Sequence, residues 1–330
     1  MRRAGSLARG GVAAALLGGW AALAAEPELL LHQGNVHDAL YDACFDARGG
    51  IAVGAAGVVL ASDAEGLSWR AQPQTATSLA LLGVACGERR RLAVGQSGTV
   101  LVDDGGGWRA VDSGSEQRLL AVAIGAGGLA AAVGGFGTVL LSHDNGETWQ
   151  PVSFDWPALV EDFAEPHLYD VAITPDGTIT VVGEFEIVMR SADAGATWTR
   201  AHKGDASLFG LHLGADGTGY AVGQAGRILR SSDGGASWTA LESPVDAPLL
   251  GVWASAADDV WISGMRTVLA GEAGGTRWRS LSGADIAVGW YQGVAPAPQR
   301  SGRVIAVGNE GRVLDLAAAA TNEDDDKHNH

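Results

Sequence analysis

A turn of the form Ser-x-Asp-x-Gly-x-x-Trp occurs three times without gaps in this chain, at residues 142–149, 191–198 and 231–238. The copies follow one another at intervals of roughly forty residues, and a fixed period of that size is typical of stacked or radially arranged units. The turn therefore limits the fold to a repeat architecture.

Each member of the turn has a structural role that its chemistry predicts. The Asp side chain accepts hydrogen bonds from turn amides, the Gly adopts a backbone conformation that a Cβ would oppose, and the Trp anchors the turn on the next strand. We therefore interpret these residues as structural rather than catalytic. They are Ser142, Asp144, Gly146 and Trp149, Ser191, Asp193, Gly195 and Trp198, and Ser231, Asp233, Gly235 and Trp238.

A strand that ends in glycine can be followed through the whole chain. It gives seven units, with the glycine at Gly54, Gly95, Gly134, Gly183, Gly223, Gly264 and Gly308. Each unit reads as four short strands, and four-stranded antiparallel units of this length predict a β-propeller. The seventh unit lacks its Trp strand, so we expect the apolar stretch 29–33 to fill the outer position and close the ring.

The predicted fold class is therefore all-β, a seven-bladed β-propeller with four-stranded blades. We expect three segments: a signal peptide at 1–24, the propeller at 25–316 and a disordered acidic tail at 317–330. The signal is indicated by Arg2, Arg3 and Arg9 before an apolar run, followed by small residues. The mature protein would be periplasmic or secreted, would not insert into the membrane, and would be a monomer.

Charge and missing motifs exclude several functions. The formal net charge is −16, so binding of nucleic acid through bulk charge is not expected. No metal-ligand spacing and no phosphate loop is visible, so we expect no metal and no cofactor. A sialidase would need an arginine cluster and a Tyr beside a Glu, and no such triad stands out. A glycosidase that pairs Asp170 with Glu184 or Glu186 is a further alternative.

The strand phrase Ala-Val-Gly-x-x-Gly-x-Val/Ile-Leu, the Ser-x-Asp-x-Gly-x-x-Trp turn and the seven units resemble the photosystem II stability/assembly factor family of seven-bladed propellers, in its bacterial non-photosynthetic branch. The turn alone is less specific, since sialidases carry the same "Asp box". The resemblance implies a non-enzymatic helper that binds membrane or envelope proteins through periplasmic loops, beside a resistance-nodulation-division type transporter. The alternative is a secreted glycan-binding or glycoside-hydrolase-like propeller.

Departures from the repeat indicate where a partner would bind. The link between units three and four is long, and the link after Gly183 reads Glu-Phe-Glu where other units have Gln-Ser-Gly or Gln-Ala-Gly. Loops on a rigid scaffold commonly carry binding groups. The candidate surface consists of Trp156, Glu161, Phe163, Tyr169, Asp170, Glu184, Phe185 and Glu186; Phe136, Trp290 and Tyr291 are expected on the same face. A loop that packs its own aromatic side chains over the ring is the competing interpretation.

The chain has two cysteines, Cys44 and Cys86, on the first strands of neighbouring units. Their positions in the two strands differ by one residue, so the side chains point to opposite sheet faces. Because adjacent blades stack with opposite faces together, the two thiols would face each other. Export would permit a disulfide, while two buried free thiols remain the alternative.

Overall fold

A computed structural model of the chain describes residues 27–32, 34–35, 37–74, 76–161, 164–255, 259–272, 274–275, 277–297 and 303–316. The predicted signal peptide, the predicted acidic tail and Phe163 lie outside the described residues. Within the described part, no helix is long and apolar enough to cross a membrane.

The prediction of seven four-stranded blades is confirmed. Every sheet has four antiparallel strands, and the strands of blades 1 to 6 are consecutive in sequence. Blades 1 to 3 comprise β2 (Leu40–Asp46), β3 (Gly49–Gly54), β4 (Val59–Ser62) and β5 (Trp69–Ala71); β6 (Leu81–Cys86), β7 (Arg91–Gly95), β8 (Val100–Asp103) and β9 (Arg109–Val111); and β10 (Leu119–Ile124), β11 (Ala130–Gly134), β12 (Val139–Ser142) and β13 (Gln150–Pro151).

Blades 4 to 6 repeat this order. They comprise β14 (Leu168–Ile173), β15 (Ile179–Gly183), β16 (Val188–Ser191) and β17 (Thr199–His202); β18 (Leu208–Leu213), β19 (Gly219–Gly223), β20 (Ile228–Ser231) and β21 (Thr239–Leu241); and β22 (Leu249–Ala254), β23 (Val260–Gly264), β24 (Val268–Glu272) and β25 (Arg277–Ser280). Two short helices lie in links between blades, α1 (Trp156–Val160) before blade 4 and α2 (Ala284–Val288) before blade 7.

Blade 7 closes the ring with a strand from the other end of the chain. It comprises β26 (Tyr291–Pro296), β27 (Val304–Gly308), β28 (Arg312–Asp315) and, as its outermost strand, β1 (Glu28–His32). The pairing of β1 with β28 is antiparallel, and Leu30 and Leu31 pack against a buried cluster that includes Val313. The N-terminal strand thus covers the edge that β28 would otherwise expose.

The glycine that ends each second strand is explained by a close backbone approach. A Cβ added to Gly134 would lie 2.0 Å from the carbonyl oxygen of Arg118, and the six equivalent distances lie between 1.9 and 2.4 Å. The residue after the glycine donates its amide hydrogen to the same carbonyl, as Gly135 does to Arg118 at 2.9 Å. No side chain fits between the two backbones, so the position requires glycine in every blade.

A β-bulge follows from this contact in every blade. The pairing of first and second strands shifts after the first residue of the first strand, between Leu40 and Asp42 in blade 1 and at the same place in the other six blades. A bulge inserts one unpaired residue and re-aims its side chain. The side chain of the second residue of every first strand therefore points towards the central opening.

The core lies mainly between adjacent blades. The cluster between blades 3 and 4 includes Val139, Leu141, Val181 and Met189, and Trp156 of α1 packs against it. Blades 1 and 2 are also joined covalently, because Cys44 and Cys86 form a disulfide with a Cα–Cα distance of 5.6 Å. The first strands of the two blades, β2 and β6, therefore lie side by side at this bond.

We expect removal of β1 to destabilise the ring. A variant that begins after His32 would lose the packing of Leu30 and Leu31 and expose the edge of β28, so its free energy of unfolding should fall by roughly 3 kcal/mol or more. Denaturant unfolding, followed by Trp fluorescence, measures the loss. Leu29→Ala, at a side chain that is 39% exposed, is the matched control and should change little. Equal stability of the shortened and full-length proteins would contradict closure by β1.

Candidate functional site

The three Ser-x-Asp-x-Gly-x-x-Trp turns share one hydrogen-bond pattern. In the first, the Ser142 hydroxyl donates to Asp144 Oδ1 at 2.8 Å, and the Thr148 amide and hydroxyl donate to the same carboxylate at 2.9 and 2.6 Å. The Trp149 indole donates to the Gly146 carbonyl at 3.1 Å. These bonds are internal to the turn, which agrees with a structural role for its members.

The same pattern recurs in blades 4 and 5. Asp193 accepts from Ser191 and Thr197, and Asp233 accepts from Ser231 and Ser237; Trp198 and Trp238 donate to the carbonyls of Gly195 and Gly235. Hydrogen bonds from the residue four positions on, Thr148, Thr197 or Ser237, lower the pKa of each Asp carboxyl to about 2.

A propeller has two faces, and the turns just described define the first, here called the turn face. The other, here called the mouth face, carries the links between blades and the links from second to third strands. The seven described residues of the predicted partner surface, all except Phe163, belong to links or strand ends of the mouth face. The structure gives them different environments.

Trp156 lies in the core rather than on the surface. It begins α1, its side chain is only 5% exposed, and a Cβ on Gly137 would meet its indole nitrogen at 2.0 Å. The Phe154 ring packs against it at a tilt of 39°, with ring centroids 4.7 Å apart. Trp156 therefore anchors the long link on the ring, as the packed-loop interpretation expects, and offers no area to a partner.

Glu186 is also internal. Its side chain is 4% exposed and contacts the Arg227 guanidinium of blade 5 and, at 3.3 Å, His202 Nε2. Its φ is +46° at a position where blades 1, 2, 3, 5 and 7 have glycine. A non-glycine residue is strained in that region, and the ion pair between blades offsets the strain.

Glu161 and Glu184, two other acids of the predicted surface, have polar partners. Glu161 is exposed and lies 3.0 Å from Arg200 and 3.7 Å from Lys203. Glu184 accepts the His167 amide at 2.8 Å and lies 3.5 Å from the Tyr169 hydroxyl. Phe185 packs against the cluster between blades 3 and 4 and is half-buried. Of the predicted surface, Glu161, Tyr169, Glu184 and Phe185 remain accessible.

A row of aromatic rings crosses the mouth face from the rim of blade 3 towards the centre. Phe136 contacts His167 edge to face at 5.0 Å, His167 lies 6.5 Å from Tyr169, and Tyr169 lies 5.1 Å from Phe209. The Phe136 amide donates to His167 Nδ1 at 3.1 Å. On the opposite side of the opening, Tyr41 stacks on Trp290 at 5.9 Å.

The central opening is lined by the bulged residue of each first strand. These seven residues, here called the mouth ring, are Tyr41, Leu82, Leu120, Tyr169, Phe209, Leu250 and Gln292. With Ala80, Gln96 and Arg118 they surround a cavity of about 370 Å³. Six of the seven are aromatic or aliphatic, so the opening presents a concave and mainly apolar surface.

Exposed apolar side chains concentrate on the same face. The described residues include six large apolar side chains that are exposed. Four of them lie in links of the mouth face: Leu79, Phe136, Met265 and Val288, with exposed fractions of 40, 60, 47 and 64%. Leu67 lies on the turn face and Leu29 on the outer strand β1. Side chains of this kind mark interaction surfaces when they cluster.

Two carboxylates border the axial channel below the mouth ring. Each occupies the third position of a first strand, where the other blades have Gly83, Ala121, Gly210, Gly251 and Gly293. Asp42 accepts the amides of Ala43 and Val84, both at 2.8 Å, and so bridges blades 1 and 2.

Asp170 forms the corresponding bridge between blades 4 and 5. It accepts the amides of Val171 and Leu211 at 2.8 and 2.7 Å. Burial raises the pKa of the Asp42 carboxyl to about 7, and burial, followed by the charge of Asp42, raises the pKa of Asp170 to about 7. Asp170 was predicted as a surface acid, and the structure places it in the channel wall.

The geometry does not favour acid–base chemistry on sugars. The acids proposed as a pair with Asp170 are held elsewhere: Glu186 by Arg227 and Glu184 by the His167 amide. Tyr169 lies beside Glu184 as a sialidase nucleophile would, but burial raises its pKa to about 12, which disfavours the phenolate. Arg118 is the one arginine among the described residues around the mouth cavity.

Several residues of this face were not anticipated from the sequence. The bulge brings four further residues into the mouth ring: Leu82, Leu120, Phe209 and Leu250. Each is the second residue of a first strand, so their shared position could have been recognised from the sequence. No sequence pattern indicated that Met265 and Val288 would be exposed on this face. Tyr291 was expected on the mouth face and is fully buried, because it takes the core position of Leu40 in blade 7.

The sequence matches no protein-family model and no curated protein. Its structure is similar to that of YCF48 bound to a D1 peptide, with a TM-score of 0.68 and 18% identity, over 89% of this chain and 95% of that chain. It is similar to YCF48 from Cyanidioschyzon merolae, with a TM-score of 0.70 and 15% identity, over 88% and 98%.

The structure of U3-55K is similar as well, with a TM-score of 0.69 and 9% identity over 88% of this chain and 98% of that chain. The structural similarities establish that these proteins share a fold with this chain. Because the sequence identities are this low, they establish nothing beyond the fold.

We expect Asp144→Ala to lower the free energy of unfolding by about 1 kcal/mol at neutral pH, since the turn loses two exposed hydrogen bonds from Thr148 and one partly buried bond from Ser142. The pKa of this carboxyl is lowered to about 2 in the folded state. The loss should therefore be complete above pH ~4 and shrink as pH falls towards 2. Urea unfolding at several pH values measures it. Asp63→Ala, in a turn where the carboxylate accepts the Leu67 amide, should lose less; an equal loss would contradict this account.

For Asp42 and Asp170 in the channel, we expect the contribution to folding stability to have the opposite pH dependence. Their folded pKa of about 7 lies above the ordinary value of 3.8, so the folded protein retains protons that the unfolded chain releases. Their contribution is complete below pH ~4 and is lost as pH rises through 7. The wild type should gain stability over Asp42→Asn/Asp170→Asn as pH falls from about 8 to 5, by on the order of 1 kcal/mol or more. Parallel pH profiles for the two proteins would contradict this assignment.

Proposed function

We propose that this chain is an exported, non-enzymatic propeller scaffold that binds an extended segment of a membrane or envelope protein on its mouth face. The observation that carries the proposal is the concentration of exposed apolar side chains around an open aromatic mouth. Phe136, Met265 and Val288 supply area at the rim, and the mouth ring supplies a concave centre. Aromatic and aliphatic anchors beside a cavity are the usual centre of a protein interface.

The rigidity of the face supports binding without a large ordering penalty. Phe136 and Phe185 both lie in the left-handed region, with φ of +52° and +60°. Each is held by its blade's backbone contact between the strand-ending glycine and the preceding carbonyl. A backbone fixed in this way needs no reordering on binding, which favours affinity.

Export and an envelope partner rest on the sequence and on the disulfide. The N-terminal residues read as a signal peptide, and the Cys44–Cys86 bond suits an oxidising compartment such as the periplasm. The neighbour described as YCF48 bound to a D1 peptide shows that this fold accepts a peptide. We extend that behaviour to this chain, with a loop of a resistance-nodulation-division type transporter as one candidate partner.

The charge of the mouth face is mixed rather than uniformly acidic. Glu161 and Glu186 are paired with Arg200, Lys203 and Arg227. Glu184 is the accessible acid nearest the mouth, beside Tyr169. Apolar contact should therefore dominate affinity, and Glu184 should contribute a salt-dependent part.

Site-specific photocrosslinking tests the proposal. A photoreactive phenylalanine at Phe136 or Met265 should capture the same envelope protein, identified by mass spectrometry. The double variant Phe136→Ser/Met265→Ser should reduce its capture at least about tenfold, an effect of about 1.4 kcal/mol. Both side chains are exposed, so the ring should keep its thermal stability.

Leu67→Ser on the turn face is the matched control, because Leu67 is also an exposed apolar residue, and Asp144→Ala is a second. Neither should affect capture. Crosslinks from a photoreactive phenylalanine placed at Leu67, with none from the same residue placed at Phe136 or Met265, would show that the turn face binds the partner. Hydrolysis of a glycoside by the purified protein, lost in Glu184→Gln, would instead establish the enzyme alternative.

A further inference from the structure

The axial channel directly below the mouth ring has a composition of its own. It encloses about 200 Å³ and is lined by residues of all seven first strands. A water molecule occupies ~30 Å³, so the channel holds several waters or the end of one long side chain. Its walls combine the rings of Tyr41, Tyr169, Phe209 and Trp253 with two acids, Asp42 and Asp170.

The two carboxylates lie in blades 1 and 4, on different sides of the ring, and both face the same space. Each accepts one amide of its own strand and one of the next blade, which leaves lone pairs directed to the channel. Among the ion pairs of the described residues, none involves Asp42 or Asp170. The channel thus contains acids and aromatic faces, and the described part of the chain provides no cation to them.

We propose that the channel receives one basic side chain, a lysine or an arginine, of the segment bound on the mouth face. This inference rests on the proposed function, since the segment must first lie across the mouth. The apolar stem would pass the mouth ring, and the charged group would lie between Asp42 and Asp170. The mouth ring and channel would therefore select an apolar segment that has one basic residue at its centre.

The chemistry of the channel fits such a side chain along its whole length. Lysine and arginine bury their methylene stems against apolar surface and keep the charge at the tip, which matches an aliphatic and aromatic ring above two acids. A cation near the faces of Tyr and Trp rings gains a further attraction. The N–H groups of the tip find carboxylate acceptors that the protein's own amides leave partly free.

Entry of the cation would displace protons from the channel. The titratable groups that line it, from all seven first strands, are Tyr41, Asp42, Tyr169, Asp170 and His212. Burial lowers the pKa of His212 to about 4, and burial raises that of Tyr169 to about 12, so neither changes charge near neutral pH. The two Asp carboxyls would ionise as the cation enters and release their protons to water. Binding should therefore strengthen as pH rises.

Two short peptides with a single difference test this inference. The probes are acetyl-Ala-Leu-Lys-Leu-Ala-amide and the same peptide with norleucine, which has an apolar chain without the charge. Titration of the isotope-labelled protein is followed by NMR at the Val84 and Leu211 amides, because these donate to Asp42 and Asp170. The lysine peptide should shift both signals and bind about tenfold more tightly than the norleucine peptide at about pH 8. The preference should fall several-fold at about pH 5.5.

Variants separate the channel from the rim. Asp42→Asn and Asp170→Asn should each reduce the affinity for the lysine peptide towards that for the norleucine peptide. Glu184→Gln, at an acid on the rim, should lose only the salt-dependent part of the affinity and retain most of the preference for lysine. If the Asn variants fail to fold, the pH dependence and the two amide signals of the wild type still decide the question.

The outcomes distinguish this inference from the proposed function. Equal affinity for the two peptides, or a lysine preference that is lost in Glu184→Gln but not in the Asn variants, overturns cation entry while leaving a binding face intact. Absence of any shift at Val84 and Leu211 at millimolar lysine peptide overturns it as well. The proposed function itself depends on the crosslinks from Phe136 and Met265.

Discussion

The structure depends on one backbone contact that is repeated in all seven blades. The glycine that ends the second strand lies against the carbonyl that precedes the first strand, and the next amide donates to that carbonyl at 2.8–3.1 Å. Because no Cβ fits there, the two strands meet in one register only. The register forces the bulge, and the bulge turns one side chain per blade towards the axis. A steric requirement at seven glycines thus produces the ring of side chains at the mouth.

The same contact explains how far the sequence alone could predict the molecule. Repeat spacing was sufficient for the number of blades, the strand order and closure by the N-terminal strand, since each depends on local pattern and on the need to cover an edge. The same repeat pattern showed that the seventh unit lacks its fourth strand. Register also placed Cys44 and Cys86 face to face on neighbouring first strands, but the sequence left a disulfide and two free thiols open, and the structure shows the disulfide.

The candidate surface was harder to predict because a link's sequence does not show which of its side chains turn inward. Trp156 fills space against Gly137, and Glu186 meets Arg227 of the next blade; both contacts join residues distant in sequence. Asp170 could have been read as an inter-blade bridge, since Asp42 stands at the equivalent position while five blades have Gly or Ala. Chemistry of this kind becomes clear only when adjacent blades are placed together.

The net charge of the chain does not indicate which of the two faces binds a partner. Acids occur on both: the turn face carries Asp144, Asp193 and Asp233, and the mouth face carries Glu161, Glu184 and Glu310. The turn-face acids are held by their own turns, whereas the channel acids lie in an apolar wall, where the charged form is disfavoured. The net charge of −16 attracts basic proteins to the ring without choosing among them. Selection among such proteins then falls to the mouth, where apolar area and two poorly solvated carboxylates lie on one axis.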